Sequence, residues 1–489
     1  MSGWDSINNG SVYSQAMAGF FSRSASAELD NKARKELVSR SRILFLESAI
    51  ARSCIDVLLR ECVGSGLRYS PKPASVYFKN YDAITGELEK ELHKSSDLHT
   101  LDSTGRMTFN QIQSLVFKTI LLSGDCFLIR LENGSFCIKE SDYVYTPPFL
   151  ADRKDIFDGV EVDNLGSPIA YWFYNNLYGE SSEASWERIP AIDAESGLPR
   201  VLHCMYAERP QQYRGLPLIA PVIEDLWSLR AYLTSETQMA ITQVNQSWVI
   251  TTATNPSLNP FVGMTQRDLD SPLIPEAEPK KAKESSEVQE FSINPPATQL
   301  LNGAVSRTRF LQPGSSLHLA EGEDIKAITP TAPHSGLETF VRVVVDQIGC
   351  AVGIPSQILT ARIDSNFSSC KAAFAQLQHT VRLYRTMFTE TFLKPFFQCF
   401  VYDTMQAKGW HSECFSDFEA SLLLANESLW LPSTPMVLLE PNREMDFYKN
   451  ALELGLVSKN EVSQLLFGHD AILNDTNNNE ILSTNDEGV

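Results

Sequence analysis

Ser335-Gly-Leu-Glu-Thr-Phe-Val-Arg-Val-Val-Val-Asp-Gln-Ile-Gly-Cys-Ala-Val-Gly-Ile-Pro355 is the stretch whose reading decides the fold. Leu337, Phe340, Val341, Val344, Val345, Ile348 and Val352 recur at helical spacing, which predicts a helix over 336–352. Gly353 and Pro355 stop it. The polar run Arg362-Ile-Asp-Ser-Asn-Phe-Ser-Ser-Cys-Lys371 follows, with Asp364, Ser365 and Asn366 placed to cap the next helix. That helix carries Phe374, Leu377, Val381, Tyr384 and Phe388, and Pro395 is expected to kink or end it. The pattern is two helices joined by a polar tip, with no catalytic machinery in it.

Working outward, the chain has 489 residues, too many for one simple core, and two to four domains are expected. Its formal charge of −19 argues against gripping nucleic acid through phosphate neutralisation. Nine cysteines, with no CxxC and no Cys/His ligand spacing, imply reduced, buried thiols. No run of 18 apolar residues occurs, because Asp346 interrupts the most apolar region, so no membrane span is expected. The polar N-terminus lacks the pattern of a secretory signal.

Residues 1–30, rich in Ser, Ala, Gly and Asn, read as a loosely ordered arm. Asp30 is placed to cap one helix running to Cys62, with Leu37, Ile43, Leu46, Ile50, Cys54, Val57 and Leu58 on its apolar face and Gly64 and Gly66 at its end. Arg40 and Arg42 on the other side read as a solvated pair. A second helix is expected over 109–122. Asn133-Gly134 between Asp125–Arg130 and Ser135–Lys139 is a strong hairpin signal. Further strands are expected at 160–162, 169–174 and 201–205, which makes residues 1–210 an α+β region. After the turn-rich joint Arg209–Pro217, a helix is expected from Leu218 to about Trp248, roughly 45 Å long. Its lower half is dominated by Thr, Ser, Gln and Asn, so it suits packing beside copies of itself or bridging two parts of a molecule. The Pro-, Lys- and Glu-rich insert at 272–290 reads as exposed. Strands return at 248–252, 308–311 and 317–320. A short helix is expected over 444–454, followed by a second to Leu466 and a frayed tail.

No Walker A, GxSxG or HExxH motif occurs. His203, His334, His379 and His469 stand alone and read as packed or solvated rather than as metal ligands. Glu323 and Asp324 read as a solvated pair in a turn. Glu161 and Asp163 alternate on a strand and are candidates for one shared face. The expectation is no catalytic residue, no metal and no cofactor.

Several blocks, in order along the chain, carry a resemblance. They are Ser39–Arg42 leading to Cys62–Gly66, Ser123-Gly-Asp125, Gly159–Asp163 with Gly166–Trp172, and His203 with Arg209-Pro-Gln-Gln-Tyr-Arg-Gly-Leu-Pro217. Gly353–Leu359, Asn366–Ser369, Glu440–Glu444, Gly455–Ser458 and Gly468–Asp470 close the series. Over roughly residues 25–480 the chain resembles the lambda-type portal proteins of tailed phages. It departs from them at Gln211, where the family usually has Gly, at Phe367 (Tyr) and at Lys371 (Arg).

The resemblance implies an α+β portal fold with wing, stem helices, clip and small crown. Residues 1–30 would be the flexible arm, 31–215 the wing, 216–248 the first stem helix and 249–334 the clip with its polar insert. Residues 335–360 would be the second stem helix, 361–372 the tunnel loop, 373–440 the tunnel helix and wing return, 441–473 the crown and 474–489 the tail. Twelve subunits would form a ring at one capsid vertex of the virion, assembled in the host cytoplasm of a phage or prophage. Double-stranded DNA would pass non-specifically through it during packaging and ejection. Its partners would be the large terminase subunit, the head–tail adaptor and the major capsid or scaffolding protein, with no membrane. Arg362, Asp364, Ser365, Asn366, Phe367, Ser368, Ser369 and Lys371 would form the tunnel loop, and Leu226, Leu229, Leu233, Val344, Val345 and Ile348 would mark the stem helices. The rival readings are another structural virion component, such as an adaptor or minor head protein, and a soluble hydrolase with a concave carboxylate pocket.

Overall fold

The computed structural model describes residues 31–71, 81–175, 185–244, 247–252, 299–301, 304–310, 323–327, 336–362, 367–410, 415–432, 441–457, 459 and 462–463. The chain divides into two units, Met1–Ser228 with Val341–Val489, and Leu229–Phe340.

The first unit opens with α1 (Asn31–Glu47) and α2 (Ala49–Cys62) where one helix was expected. Ser48 makes the break. It is extended (φ −115°, ψ 121°), and its hydroxyl accepts the Ala51 N–H at 3.3 Å. The break changes the helical phase, so no single apolar stripe runs through both helices. α1 buries Arg34, Val38, Ser41, Leu44 and Phe45, while Ile43 and Leu46 of the expected face are exposed. On α2 the expected Cys54, Val57 and Leu58 are buried.

After β1 (Leu67–Pro71) and α3 (Tyr81–Asp97), Thr108 and Gln111 form a capping box that starts α4 (Phe109–Ser123). Then come β2 (Asp125–Arg130), β3 (Phe136–Glu140), β4 (Ile156–Phe157), β5 (Val160–Val162), β6 (Pro168–Tyr174), β7 (Trp186–Pro190) and β8 (Val201–Met205). The β2–β3 hairpin turns at Gly134, in the left-handed region (φ 78°) as its Asn-Gly signal requires. The strands form a sheet of order β3-β2-β8 and an antiparallel meander of order β4-β5-β6-β7. Phe127, Ile129 and Val201 of the first share one hydrophobic cluster with Val160, Val162, Tyr171, Phe173 and Ile189 of the second. This is sheet-on-sheet packing by alternating inward residues.

α5 (Ile223–Val244), preceded by a 3-10 turn at Ala220–Val222, starts in the first unit and continues into the second. The helix expected to reach Trp248 ends earlier, and Trp248 belongs to β9 (Ser247–Thr252). The β-branched run Val249-Ile-Thr-Thr252 fits a pleated ladder better than a helix. β9 is paired on both edges. The second unit's sheet, completed by β10 (Gln299–Leu301), β11 (Ala304–Phe310) and β12 (Glu323–Ala327), has order β10-β11-β9-β12, all antiparallel. Glu323 and Asp324 therefore lie in a strand opposite Thr252 and Thr251, not in a turn. The strand expected at 317–320 lies outside the described residues.

α6 (Leu337–Val352) follows its expectation to within a residue and buries Val345, Ile348, Gly349 and Val352. After the short α7 (Ser356–Leu359) comes α8 (Phe367–Phe388). Pro395 does not end the helix. A π turn at Thr389–Leu393 passes the chain into α9 (Lys394–Lys408). Proline has no N–H to donate, and its ring crowds the carbonyl one turn back. That carbonyl belongs to Thr391, and it accepts the Cys204 thiol at 3.6 Å instead. The Lys394 N–H reaches Thr389 O across the wider turn. α10 (Asp417–Asn426) leads to β13 (Ser428–Pro432), which pairs with β1 and sets Trp430 opposite Tyr69. α11 (Pro441–Glu453) is the last long helix described.

The π turn keeps a row of phenylalanines on one side. Phe388 meets Phe117 at 5.1 Å and Phe392 at 5.2 Å, and Phe396 meets Phe109 at 5.0 Å and Phe136 at 4.6 Å. All of these rings are buried. Phe396→Ala removes a ring that touches three elements. The expected cost is about 3–5 kcal/mol in equilibrium denaturation followed by near-ultraviolet circular dichroism. A loss under about 1 kcal/mol would mean that the column is not the core it looks to be.

Candidate functional site

α5 is rooted in a buried group of charges that the sequence reading did not find. Arg214 precedes the helix by nine residues, and its guanidinium is buried. Nε donates to Asp125 Oδ2 at 2.6 Å and Nη2 to Asp125 Oδ1 at 3.2 Å, the bidentate geometry that makes such pairs strong. Nη1 donates to the carbonyls of Val144 and Asp158 at 2.7 Å, and Nη2 donates to Ser141 O at 3.0 Å. Asp158 lies 3.3 Å from Arg214 and also pairs with Arg34, which is fully buried on α1. His203 on β8 stacks on Phe127 at 4.3 Å and lies 3.5 Å from Asp125. Two arginines thus face two aspartates, and the histidine completes the group without need of a charge.

The backbone closes tightly around this group. Gly124 and Gly215 approach so nearly that a Cβ on Gly215 would lie 2.0 Å from Gly124 O. The Gly215 N–H donates to Asp125 Oδ2 at 3.3 Å, and the Leu218 N–H donates to Leu121 O at 2.9 Å. The joint leading to Arg214 is held by Gln212, which accepts from the Glu208 and Arg209 N–H groups and donates to Arg214 O. Gln211 sits at φ 58°, a left-handed conformation that glycine adopts without strain. The local signals were an aspartate opening the apolar run Asp125-Cys-Phe-Leu-Ile129 and a lone arginine beside Gly215. Neither could be paired from sequence alone.

Arg42, read as solvated, also has partners. It pairs with Asp142 and donates to Ser123 Oγ at 3.0 and 3.2 Å. Arg40 keeps to the surface in an i,i+4 pair with Glu36. Glu161 and Asp163 do not share a site. Glu161 is buried and accepts from Arg188 at 2.8 Å and from the Trp172 indole at 3.2 Å, whereas Asp163 caps the following turn.

Of the expected tunnel-loop residues, Arg362, Ser368, Ser369 and Lys371 are exposed around the start of α8. Asp364, Ser365, Asn366 and the Phe367 side chain lie outside the described residues. Among the stem residues, Leu226, Leu229, Val345 and Ile348 are buried within the chain, Val344 is half-buried and Leu233 is exposed. The four buried ones anchor their helices within the chain. His379 is exposed; His334 and His469 lie outside the described residues. Cys54, Cys62, Cys126, Cys204 and Cys399 are buried free thiols, and Cys350 is an exposed one. Among the described residues no group of three His, Cys, Asp or Glu could hold a metal ion, and no helix is long and apolar enough to cross a membrane.

The model of the lambda family of phage portal proteins matches residues 14–385. The expected blocks at 440–444, 455–458 and 468–470 lie beyond that match. A probable portal protein of Halomonas phage phiHAP-1 is 25% identical over 218 residues, which is 42% of this chain and 41% of that relative. The chain thus spans less than half of that relative's length. Among solved structures, a chain in the virion of a native gene transfer agent particle is 12% identical at a TM-score of 0.39, covering 80% of this chain and 93% of that one. A chain in the neck of a native particle of that kind, computed with C12 symmetry, is 13% identical at a TM-score of 0.42, covering 84% and 97%.

The charged root carries an acid sensitivity whose sign can be worked out. Burial raises the Asp125 carboxyl, but Arg214 and the His203 contact outweigh it and hold the group well below the usual carboxylate range. Burial also lowers the His203 imidazole, against the pull of Asp125. Both folded values are depressed, so the unfolded chain binds more protons as pH falls, and stability drops. The histidine contributes first, below about pH 6.5, and the aspartate below about pH 3.9. In a thermal-melt series from pH 7.5 to 4.5, His203→Gln is expected to flatten the decline that the unmodified protein shows below pH 6.5. Arg214→Met leaves Asp125 buried without its partner and is expected to cost about 3–5 kcal/mol at neutral pH.

Proposed function

Because the chain belongs to the lambda family of phage portal proteins, we propose that it forms a dodecameric ring at one capsid vertex. Double-stranded DNA enters the head through this ring and leaves it again at ejection. The match over residues 14–385 is the one observation that carries this reading. The family is a structural one, and no catalytic step is assigned to any residue here.

The division of labour follows the expected plan. Residues 31–215, with 373–440, form the wing. Segments 216–248 and 335–360 are stems, and 249–334 is the clip that docks first the large terminase subunit and later the head–tail adaptor. The crown is 441–473, and the outer wing meets the major capsid or scaffolding protein. The site of action is the virion.

Physical chemistry supports the conduit. DNA must slide, and a lining rich in lysine and arginine would form many phosphate contacts and hold it. The chain carries a net −19, and the tunnel-loop segment holds Asp364, Ser365, Asn366 and Ser368. These four are assigned to the channel wall, where uncharged or weakly repelling groups make short-lived contacts.

Two measurements test the reading. Negative-stain images or native mass of the purified protein are expected to give closed rings with a central hole; a lone globule under every solution condition would end it. The double variant Asp364→Lys, Asn366→Lys is expected to form rings of unchanged mass yet to lower DNA filling of heads at least about tenfold, since each added phosphate contact slows transit. Unchanged filling would remove this loop from the channel wall.

A further inference from the structure

We propose that the Leu165 turn of one subunit inserts into a groove between α1 and α5 of its neighbour; this rests on the ring assembly proposed above. The groove has a volume of about 530 Å³ and is lined by Arg40, Ile43 and Leu44 of α1 and by Ile223, Glu224 and Trp227 at the start of α5. Its walls are apolar where a core would be, yet they open to solvent. Trp227 is 54% exposed, Ile43 is 45% exposed, and Leu46, one helical turn along from Ile43, is 78% exposed. Tryptophan beside branched aliphatics in a concavity, with charges at the rim, is the make-up of a surface that captures an apolar anchor.

The occupant is a second copy of this chain. A closed ring needs two different patches on each subunit, one to present and one to receive. Leu165 is the patch to present. At 90% it is the most exposed large apolar side chain among the described residues. It sits at the tip of the β5–β6 turn, and that turn is fixed. Asp163 Oδ1 accepts the N–H groups of Leu165 and Ser167, each at 2.8 Å. The Gly166 N–H donates to Asp163 O at 3.0 Å, and the Asp163 N–H donates to Ser167 O at 2.9 Å. An apolar side chain on a turn fixed by four hydrogen bonds, two of them to the Asp163 carboxylate, needs little backbone ordering on docking, which is what makes an anchor effective.

Charge agrees with this pairing. Asp163 places a carboxylate next to Leu165 on an exposed turn, and Arg40 places a guanidinium at the groove wall. The present partner of Arg40 is Glu36, with the two side chains 42% and 51% exposed. An exposed pair of this kind contributes little, so the guanidinium can be shared with an incoming carboxylate at small cost. The Asn164 amide, next in the turn, can donate to Glu224 on the opposite wall.

The test uses the full-length chain with cysteines at both positions, Leu165→Cys with Ile43→Cys, treated with a short thiol cross-linker and run under denaturing conditions. A ladder extending beyond the dimer, absent from either single variant, is the expected result. The single variants also control for Cys350, which is exposed. Leu165→Asp is expected to reduce the assembled fraction at least about tenfold in native mass measurements, as loss of a seated anchor should. Arg40→Glu, which sets a carboxylate against Asp163 without touching the turn, is expected to weaken assembly as well. Intact rings without a ladder, and unaffected by Leu165→Asp, would overturn the docking while leaving the ring in place. A cross-link only within single chains would overturn it too. If the unmodified protein never assembles, both this contact and the ring fall together.

Discussion

Everything in the first unit is arranged around one buried ion pair, Arg214 with Asp125. Removing two charges from water costs several kcal/mol each, and their attraction repays that only with good geometry and full hydrogen bonding. Here the geometry is bidentate, and the remaining guanidinium hydrogens go to the carbonyls of Ser141, Val144 and Asp158. Those partners lie in segments far apart in sequence. Asp125 opens β2, Asp158 precedes β5, and Arg34 comes from α1 to share Asp158. The pair is fully satisfied only in the arrangement that brings these segments together. Its role is to specify one arrangement: a wrong register would leave a charge buried without a partner. The Gly124–Gly215 contact acts likewise, because no other residue lets the two backbones meet at that distance.

Much of the architecture was legible, and its failures are physical. The β2–β3 hairpin, the strands at 160–162 and 201–205, α4 and α6 follow from period, turn residues and caps to within a residue or two. These are elements whose own sequence decides them. Misreadings arose where something distant decided. Ser48 breaks a pattern that periodicity alone continues, so Ile43 and Leu46 were assigned to the wrong face. The helix end was placed about four residues late, at Trp248, whereas the strand expected at 248–252 is present and paired on both edges. Pro395, expected to kink or end a helix, is taken up by a π turn, with the Thr391 carbonyl accepting a thiol from β8. The charged root was invisible for the same reason, since pairing Arg34, Asp125, Asp158 and Arg214 requires knowing the fold. The resemblance did flag Ser123–Asp125 and Arg209–Pro217 as marked blocks, without saying that they touch.

The departure at Gln211 shows how such a block tolerates change. Its left-handed backbone is the conformation for which glycine is the ordinary choice, and a side chain there costs about 1–2 kcal/mol. The neighbouring Gln212 supplies compensation. Its side chain ties the N–H groups of Glu208 and Arg209 to the carbonyl of Arg214, so the joint keeps its path with a bulkier residue in the strained position.

The same logic extends from the charged root to the far end of the unit. α8, the π turn and α9 form one continuous rod from Phe367 to Lys408. A plain helix with aromatic residues every four positions would drift, because four residues exceed one turn. The π turn is wider and opposes that drift, so Phe388 stays against Phe117 and Phe396 against Phe109 and Phe136, with Phe392 between them. The wider turn relieves the crowding of Pro395 against the preceding turn, and the Thr389 and Thr391 hydroxyls donate to the carbonyls of Arg385 and Met387 at 2.9 and 2.8 Å. The residue expected to kink or end the helix thus sits where the rod changes phase, and the aromatic column passes through that change unbroken.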